Sequence, residues 1–451
     1  MYQPNLQNII RKLQEALNNK AIRSFCNKLV KGLFVTKSTR DLSGILSPAA
    51  LAVFCILLAG CEDPGNVGSR FVGDEADLET KTLPAGAFDL YPENGFSGNL
   101  RYMPIGRYDD PLFGEFTAIG ILRPSIDTTR VDAPVEGADL FQLRLVFGSQ
   151  VYGDTTGTAS YDIYRLNGTW RGNELRFGDD IPLDESQKIG EFSVEGRDTV
   201  TVELDESWVG EYNEFLVSGD DDREERYRQE FPGLAIVPSD GNSKVLFADM
   251  RPSDTEDEND MDYVRFVAER DDEEGTVQYQ TVFDWGSLNS RSEPDNPDDH
   301  LTPVHNSYDY LISLEPDLNE ETLGSRNLAS VRLMLFQNQD LLESSLPANH
   351  VRPGVNQLGI HIIDSENVSE RIFSHPPDFI ASLDSTDGSY RFDITDRANS
   401  VLFNNSNSGD NRFFISLQAN GLIYSTLLFN QDAPDEDVRP KIKITAKSVD
   451  K

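Results

Sequence analysis

Cysteine is nearly absent from this 451-residue sequence. Its three copies, Cys26, Cys55 and Cys61, all lie in the first 61 residues, and none follows. The chain beyond Cys61 therefore holds no disulfide, and it offers no thiolate as a nucleophile or as a metal ligand. These kinds of chemistry are excluded for most of the protein.

Basic residues are also few, because 40 Lys and Arg stand against 77 Asp and Glu, which gives a formal net charge of −37. Residues 1–60 hold eight of the basic residues and only two acidic ones, so the rest of the chain carries −43. A field of this sign repels phosphate backbones and anionic lipid headgroups, which argues against nucleic acid as a partner. Most of the acidic residues are scattered, so we interpret them as a solvating surface. A cation-binding surface is the alternative.

Catalytic motifs are missing as well. The sequence has no G-x-S-x-G stretch and no G-x-x-x-x-G-K-[ST] loop, and its histidines form no H-x-x-x-H or H-x-E pair. The histidines are His300, His305, His350, His361 and His375. A glycosidase needs two carboxylates at a fixed separation, and 77 acidic residues nominate no particular pair. The sequence favours a non-catalytic protein, with a secreted glycan-degrading enzyme that uses a carboxylate pair as the alternative.

An apolar run, LSPAALAVFCILLAG (46–60), directly precedes Cys61. Its length is typical of the apolar region of a signal peptide and is short for a membrane span. The residues LAGC (58–61) resemble the bacterial lipobox, in which the cysteine carries lipid. We therefore predict a leader and lipoprotein signal peptide over 1–60, lipid on Cys61, a tether over 61–74, and attachment to the outer membrane.

The segment 1–45 is longer than the usual region before such a run. Two interpretations stay open: a long amphipathic leader, or a true start codon downstream of Met1. Glu62 and Asp63 after the cysteine leave open whether the protein faces the periplasm or the cell exterior.

Beyond Cys61 the sequence is dominated by short alternating apolar runs bounded by Gly, Asp, Asn and Pro, which are typical of strands, and helix signals are scarce. These runs form an internal repeat of two units. ADLFQLRLVF (138–147) parallels NLASVRLMLF (327–336), and residues 232–269 parallel residues 413–447. We predict an all-β chain of two jelly-roll-like β-sandwich domains in tandem. The predicted bounds are 75–285 and 304–447, with a linker over 286–303.

Two stretches carry a family resemblance. MPIGRYDDPLFGEFTAIGI (103–121) and VYGDTT (151–156) resemble an uncharacterised family of Bacteroidota surface lipoproteins with a G-x-Y-x-D-P-x-F-G motif. FDIT (392–395) and VRPKIKIT (438–445) are similar to DNRLRE-type carbohydrate-binding modules, which are jelly rolls, although Phe392 replaces their usual Trp. The resemblance implies a surface lipoprotein that binds glycan or a surface-protein partner in a cell-surface assembly.

The sharpest local motif is YDDPLFGEF (108–116). An Asp before Pro, followed by Phe-Gly, predicts a tight turn in which Asp109 or Asp110 caps backbone N–H groups and Phe113 enters the core. The alternative is a ligand-binding rim that presents Tyr108 and Asp110 to solvent.

Two further sites are predicted. Trp208 and Tyr212 are four residues apart, so they could form a stacking pair for a sugar on one short helical turn, and burial of Trp208 in the core is the alternative. DTEDENDMD (254–262) and DSTDG (384–388) offer closely spaced oxygen ligands of the kind that calcium prefers, and we nominate Asp384 and Asp387 for a structural calcium ion. Solvated loops are the alternative for both acidic stretches.

Overall fold

The computed structural model describes residues 78–447, apart from 138, 217–221, 252–261, 295–297, 324–327, 364–366 and 405–411. Cys61, the apolar run before it and most of the acidic stretch 254–262 lie outside the described residues. Of the described residues, 48% are in strands and 15% in helices, and the sheets are antiparallel. The prediction of a chain built mainly from strands is confirmed.

The described strands are β1 (Leu78–Pro84), β2 (Phe88–Pro92), β3 (Tyr102–Asp110), β4 (Gly114–Pro124), β5 (Leu140–Leu145), β6 (Phe147–Asp154), β7 (Thr158–Leu166), β8 (Leu183–Glu195), β9 (Val200–Glu203), β10 (Leu234–Pro238), β11 (Lys244–Asp249), β12 (Arg265–Glu269), β13 (Val277–Gln280), β14 (Val282–Arg291), β15 (Leu301–His305), β16 (Tyr310–Leu314), β17 (Leu328–Phe336), β18 (His350–Val351), β19 (Gln357–Ile362), β20 (Phe379–Asp384), β21 (Ser389–Asp393), β22 (Phe413–Ser416), β23 (Ser425–Phe429) and β24 (Lys441–Lys447). The described α-helices are α1 (Glu206–Leu216), α2 (Arg223–Glu230), α3 (Glu320–Leu323), α4 (Gln339–Ser344), α5 (Val368–Ser374) and α6 (Thr395–Asn404). Short 3-10 helices span Gly172–Glu174 and Glu436–Val438.

The strands form two large and two small antiparallel sheets, and one sheet curls into a half-barrel. The first large sheet has the order β1-β24-β17-β21-β20-β19-β22-β16-β2. The second has the order β18-β6-β11-β3-β4-β10-β7-β8, with β14 also paired to β4. The small sheets are β13-β12-β5-β9 and β15-β23.

The strand pairings of the first half of the described chain, β3 to β14, recur in the second half, β15 to β24. β5 pairs with β9 and β12, and β17 pairs with β21 and β24. β10 joins β4 to β7, as β22 joins β16 to β19, and β3·β11 corresponds to β15·β23. In the first half Leu143 lies opposite Val202, and in the second half Leu333 lies opposite Phe392. Each residue of the second pair stands 190 positions after its counterpart in the first. This repetition agrees with the internal repeat in the sequence.

Alternation along single strands also follows the sequence. In β24, Ile442 and Ile444 are 1% and 3% exposed, whereas Lys443 between them is exposed. The isoleucines belong to a second-half core, and a separate core occupies the first half. Each half thus buries its own apolar face.

The expectation that helices are nearly absent is wrong for α1 and α6. Each follows the equivalent strand of its half, β9 or β21, and each packs an apolar face on a core. The buried apolar side chains of α1 are Trp208, Val209, Tyr212, Phe215 and Leu216. These positions repeat every three to four residues, which is helical spacing.

Several strands cross the boundary between the halves. β1 pairs with β24 and β2 pairs with β16, so residues 78–92 lie in the second-half sheet. β18 pairs with β6 of the first half. Residues 286–291, placed in the predicted linker, continue β14 and pair with β4. The described residues form one compact unit.

Candidate functional site

The G-x-Y-x-D-P-x-F-G stretch forms the hairpin between β3 and β4. Asp110 Oδ1 accepts hydrogen bonds from Leu112 N at 2.9 Å and Phe113 N at 3.2 Å. Phe113 is 1% exposed, as the turn interpretation predicts. Gly114 has a φ of +72°, and a Cβ there would lie 2.2 Å from the carbonyl oxygen of Ser292, so glycine is required.

The carboxylate of Asp110 also joins the two halves of the chain. Arg352, which is 242 residues away, donates from Nε to Oδ2 at 2.9 Å and from Nη2 to Oδ1 at 2.8 Å. Tyr152 donates its hydroxyl to Oδ2 at 2.9 Å. The side chain of Asp110 is 0% exposed and that of Arg352 is 5% exposed. This is a buried, bidentate ion pair, so the hairpin is a structural junction.

The alternative prediction, that Tyr108 and Asp110 face solvent, is wrong. Tyr108 is 2% exposed, and its ring packs edge-on against Tyr152 and lies 5.6 Å from the ring of His350. Burial raises the pKa of Tyr108 to about 12, so the phenol stays neutral near pH 7. Strand β18 of the second half pairs with β6, and its His350 lies against the ring of Tyr108. The second half therefore covers this tyrosine.

Trp208 and Tyr212 are also core residues rather than a stacking platform, so this prediction is wrong. Trp208 is 1% exposed and Tyr212 is 0% exposed. Trp208 packs against Phe231, with ring centroids 5.2 Å apart, and Tyr212 stacks on Phe141 at 5.2 Å. Because α1 turns this face inward, neither ring is accessible to a sugar.

Asp384 and Asp387 lie at the β20–β21 hairpin and share Arg391. The carboxylate of Asp384 accepts from Arg391 Nη1 at 2.6 Å, and Asp387 accepts from Nη2. Hydrogen bonds from Thr386 and Arg391 hold the pKa of Asp384 below its usual value. Within the described ranges, no three His, Cys, Asp or Glu side chains are grouped to hold a metal ion. A calcium ion would have to displace Arg391.

A groove of about 780 Å³ lies on the outer face of β22, β19 and β20. Gln357, Gly359 and His361 of β19 line it, together with Leu358, which also belongs to the second-half core. Ile360, between Gly359 and His361, belongs to that core alone. The walls are formed by the segment around α5 on one side and by the chain after β22 on the other. The wall residues are Ile372, Phe373, Pro377, Leu417, Gln418, Ala419 and Tyr424.

The groove is uncharged, although 26% of the residues in the chain are charged. None of its 19 lining residues is Asp, Glu, Lys or Arg. Burial lowers the pKa of His361 to about 4, so this imidazole is neutral near pH 7. Phe373 and Ile380 present apolar surface, being 43% and 58% exposed. The polar lining residues are Asn356, Gln357, Ser382, Ser385, Ser416, Gln418 and Tyr424. Their amides and hydroxyls both donate and accept hydrogen bonds.

The equivalent face of the first half is closed. The connection between β7 and β8 crosses it, and Trp170, Leu175 and Ile181 from this connection pack against Ile121 and Ala235. Trp170 Nε1 donates to the carbonyl of Pro232 at 2.7 Å, which holds the β7–β8 connection against the sheet.

In the second half the corresponding connection contains α5, which packs to one side of the groove. Its Val368 belongs to a small cluster with Tyr308 and Phe414. The two repeats therefore differ at this face, and the second leaves it open as a groove.

Sequence reasoning did not find the groove, because its lining residues are spread over 354–424 and come from separate strands and loops. One local signal was present. NQLGIHII (356–363) alternates polar or small residues with apolar ones, which predicts a strand with one accessible face. The exposed Phe373 and Ile380 stand far from that strand in sequence.

Comparison with protein-family models finds no match for this chain, and comparison with curated proteins finds no significant match. No helix among the described residues combines the length and apolar character needed to span a membrane.

Proposed function

We propose that this protein is a non-catalytic surface lipoprotein that binds a neutral glycan in the groove over β19, β20 and β22. The observation that carries the proposal is the uncharged, amphipathic lining of this groove in an otherwise acidic protein. A sugar ring has an apolar C–H face that packs on aromatic or aliphatic side chains, and hydroxyls that pair with amides and hydroxyls. The groove volume lies in the range of ligand sites.

We further propose that each half is a jelly roll. In this fold, two four-stranded sheets pack face to face around one core. The order β4-β10-β7-β8 in the first half and β16-β22-β19-β20 in the second supports one such sheet in each. The groove then lies on the outer face of the second.

The family resemblance supports the same function. FDIT (392–395) coincides with the end of β21, and VRPKIKIT (438–445) with the start of β24, and both strands pair with β17. The resemblance to carbohydrate-binding modules implies a D-[VI]-T strand followed later in the chain by a final R-P-x strand, and the order of β21 and β24 supports it. Membership of a lipoprotein family is proposed on the hairpin motif and on LAGC (58–61).

The alternative function is glycan hydrolysis by a carboxylate pair. Such enzymes hold two carboxylates within about 5–10 Å of each other across the scissile bond. The residues that line the groove include no Asp or Glu, so the groove favours binding over hydrolysis.

A glycan array tests the proposal. The full chain in detergent is expected to bind neutral oligosaccharides in preference to sulfated or uronic-acid chains, and to release no product from them. Phe373→Ala is expected to weaken binding about tenfold or more, because it removes the exposed ring from the wall of the groove.

The matched control is Phe403→Ala. Phe403 is 63% exposed on α6 and does not line the groove, so binding should stay unchanged. Equal binding by the wild type and Phe373→Ala would contradict the site. Released oligosaccharide would instead support the enzyme.

Attachment to the membrane is tested separately. Cys61→Ala is expected to abolish acyl labelling and to shift the protein from the detergent phase to the aqueous phase. Cys55→Ala, six residues earlier in the same apolar run, is the control and should leave both unchanged. A Cys61→Ala protein that still labels and fractionates with membranes would refute lipidation at this residue.

A further inference from the structure

Two arginines flank the β3–β4 hairpin in similar ways. Arg352 donates Nη1 to the carbonyl of Leu342 at 2.7 Å and uses its Nε and Nη2 for the carboxylate of Asp110. Arg291 donates Nη1 to the carbonyl of Phe113 at 3.3 Å. The Nε and Nη2 atoms of Arg291 are buried and have no hydrogen-bond partner among the described residues.

A small cavity of about 70 Å³ lies beside this guanidinium. Arg291 and Ser307 both line it, and the buried hydroxyl of Ser307 also has no hydrogen-bond partner among the described residues. Phe113, Phe177 and Pro303 supply apolar walls. Two residues that carry three unpartnered polar atoms therefore line one cavity. An unpartnered buried polar atom costs free energy, which a bound ligand could offset.

We propose that this cavity binds the carboxylate of a small organic acid. Its two oxygens would accept from Nε and Nη2 of Arg291, as the oxygens of Asp110 accept from Arg352, and one would also accept from Ser307. A guanidinium edge fits a carboxylate in two parallel hydrogen bonds. The cavity has room for about two water molecules at their liquid volume, so acids of two or three carbons fit and an aromatic acid does not.

Local charge favours the same ligand. The buried carboxylate of Asp110 is paired with Arg352, which takes both of its oxygens. The guanidinium of Arg291 lies at the same hairpin and donates there only to the carbonyl of Phe113 among the described residues. Glu293 and Asp309 also line the cavity, but both residues are exposed, and neither carboxylate accepts a hydrogen bond from Nε or Nη2 of Arg291 in the described part of the chain. An added carboxylate would balance the second guanidinium. This site is independent of the glycan groove.

Titration calorimetry of the full chain with sodium acetate, at constant ionic strength, tests the site. One acetate is expected to bind per chain. Arg291→Met should weaken binding about tenfold or more, and Ser307→Ala several-fold, because charge-assisted hydrogen bonds are lost. Arg291→Lys keeps the charge but lacks the fork, so it should also weaken binding. Arg197→Met is the control, since Arg197 is an exposed arginine that likewise donates to a backbone carbonyl.

Propionate should bind as acetate does, and benzoate should not. A melting curve for each variant shows that it is folded under the conditions of the titration. Absence of acetate binding by the wild type would overturn the proposal, as would binding that survives both Arg291→Met and Ser307→Ala. Acetate binding only after Glu293→Gln or Asp309→Asn would also overturn it, because a carboxylate of the protein itself would then hold Arg291.

Discussion

Replacing Asp110 by asparagine is expected to lower the free energy of unfolding by about 3–5 kcal/mol. The asparagine oxygen can still cap Leu112 and Phe113, so the turn itself is kept. The loss comes from Arg352, whose side chain is 5% exposed and would keep a buried charge without its carboxylate. Chemical denaturation followed by circular dichroism measures the change.

Asp109→Asn is the matched control, because Asp109 is the neighbouring residue and is exposed. It should change the free energy of unfolding by less than about 0.5 kcal/mol. The double variant Asp110→Asn/Arg352→Met removes both charges and should recover part of the loss. If Asp110→Asn were as stable as the wild type, the ion pair would not hold the two halves together.

Replacing Trp208 by alanine is expected to lower the free energy of unfolding by about 3–5 kcal/mol, the range found for large aromatic residues in cores. Trp208 is 1% exposed and packs against Phe231 and Phe266. Its indole nitrogen donates to the carbonyl of Gly233 at 3.4 Å. The same denaturation experiment measures the loss, and near-ultraviolet circular dichroism reports the change in core packing.

Glu214→Ala is the control, since Glu214 is exposed on the same helix, and it should change stability by less than about 0.5 kcal/mol. This pair of variants separates the core role of Trp208 from the predicted sugar platform. A Trp208→Ala protein that is fully stable but no longer binds glycan would restore the platform interpretation and contradict the packing described above.

The difference between the two repeats bears on the proposed function. Both halves use the same strand pairings, but the first covers its outer face with Trp170, Leu175 and Ile181, and the second does not. Covering adds buried apolar area and stabilises a sheet, whereas an open face exposes Phe373 and Ile380 to water. An exposed apolar groove of this kind is typical of a binding surface. We therefore expect the first half to stabilise the protein and the second to carry the ligand.

Much of the architecture was determined by the sequence alone, because it depends on local periodicity and on chemistry close in the chain. The alternation in β24 placed Ile442 and Ile444 inward, and the parallel runs at 138–147 and 327–336 indicated a repeated strand pattern. The Asp-Pro turn, with Asp109 or Asp110 as its cap, followed from residues within four positions of one another, and the structure assigns the cap to Asp110.

Only the tertiary structure decided which of the predicted ligand-binding residues are buried. Arg352 reaches Asp110 from 242 residues away, and no local pattern encodes that contact. The helical spacing around Trp208 is readable, but whether that face meets a core or a ligand depends on the sheet beneath it. The groove depends on the paths of two equivalent connections. The β7–β8 connection lies across its sheet, whereas the β19–β20 connection, which contains Phe373, lies at the edge of the groove. Such choices are made by packing between distant segments, whose free energies do not appear in any short stretch of sequence.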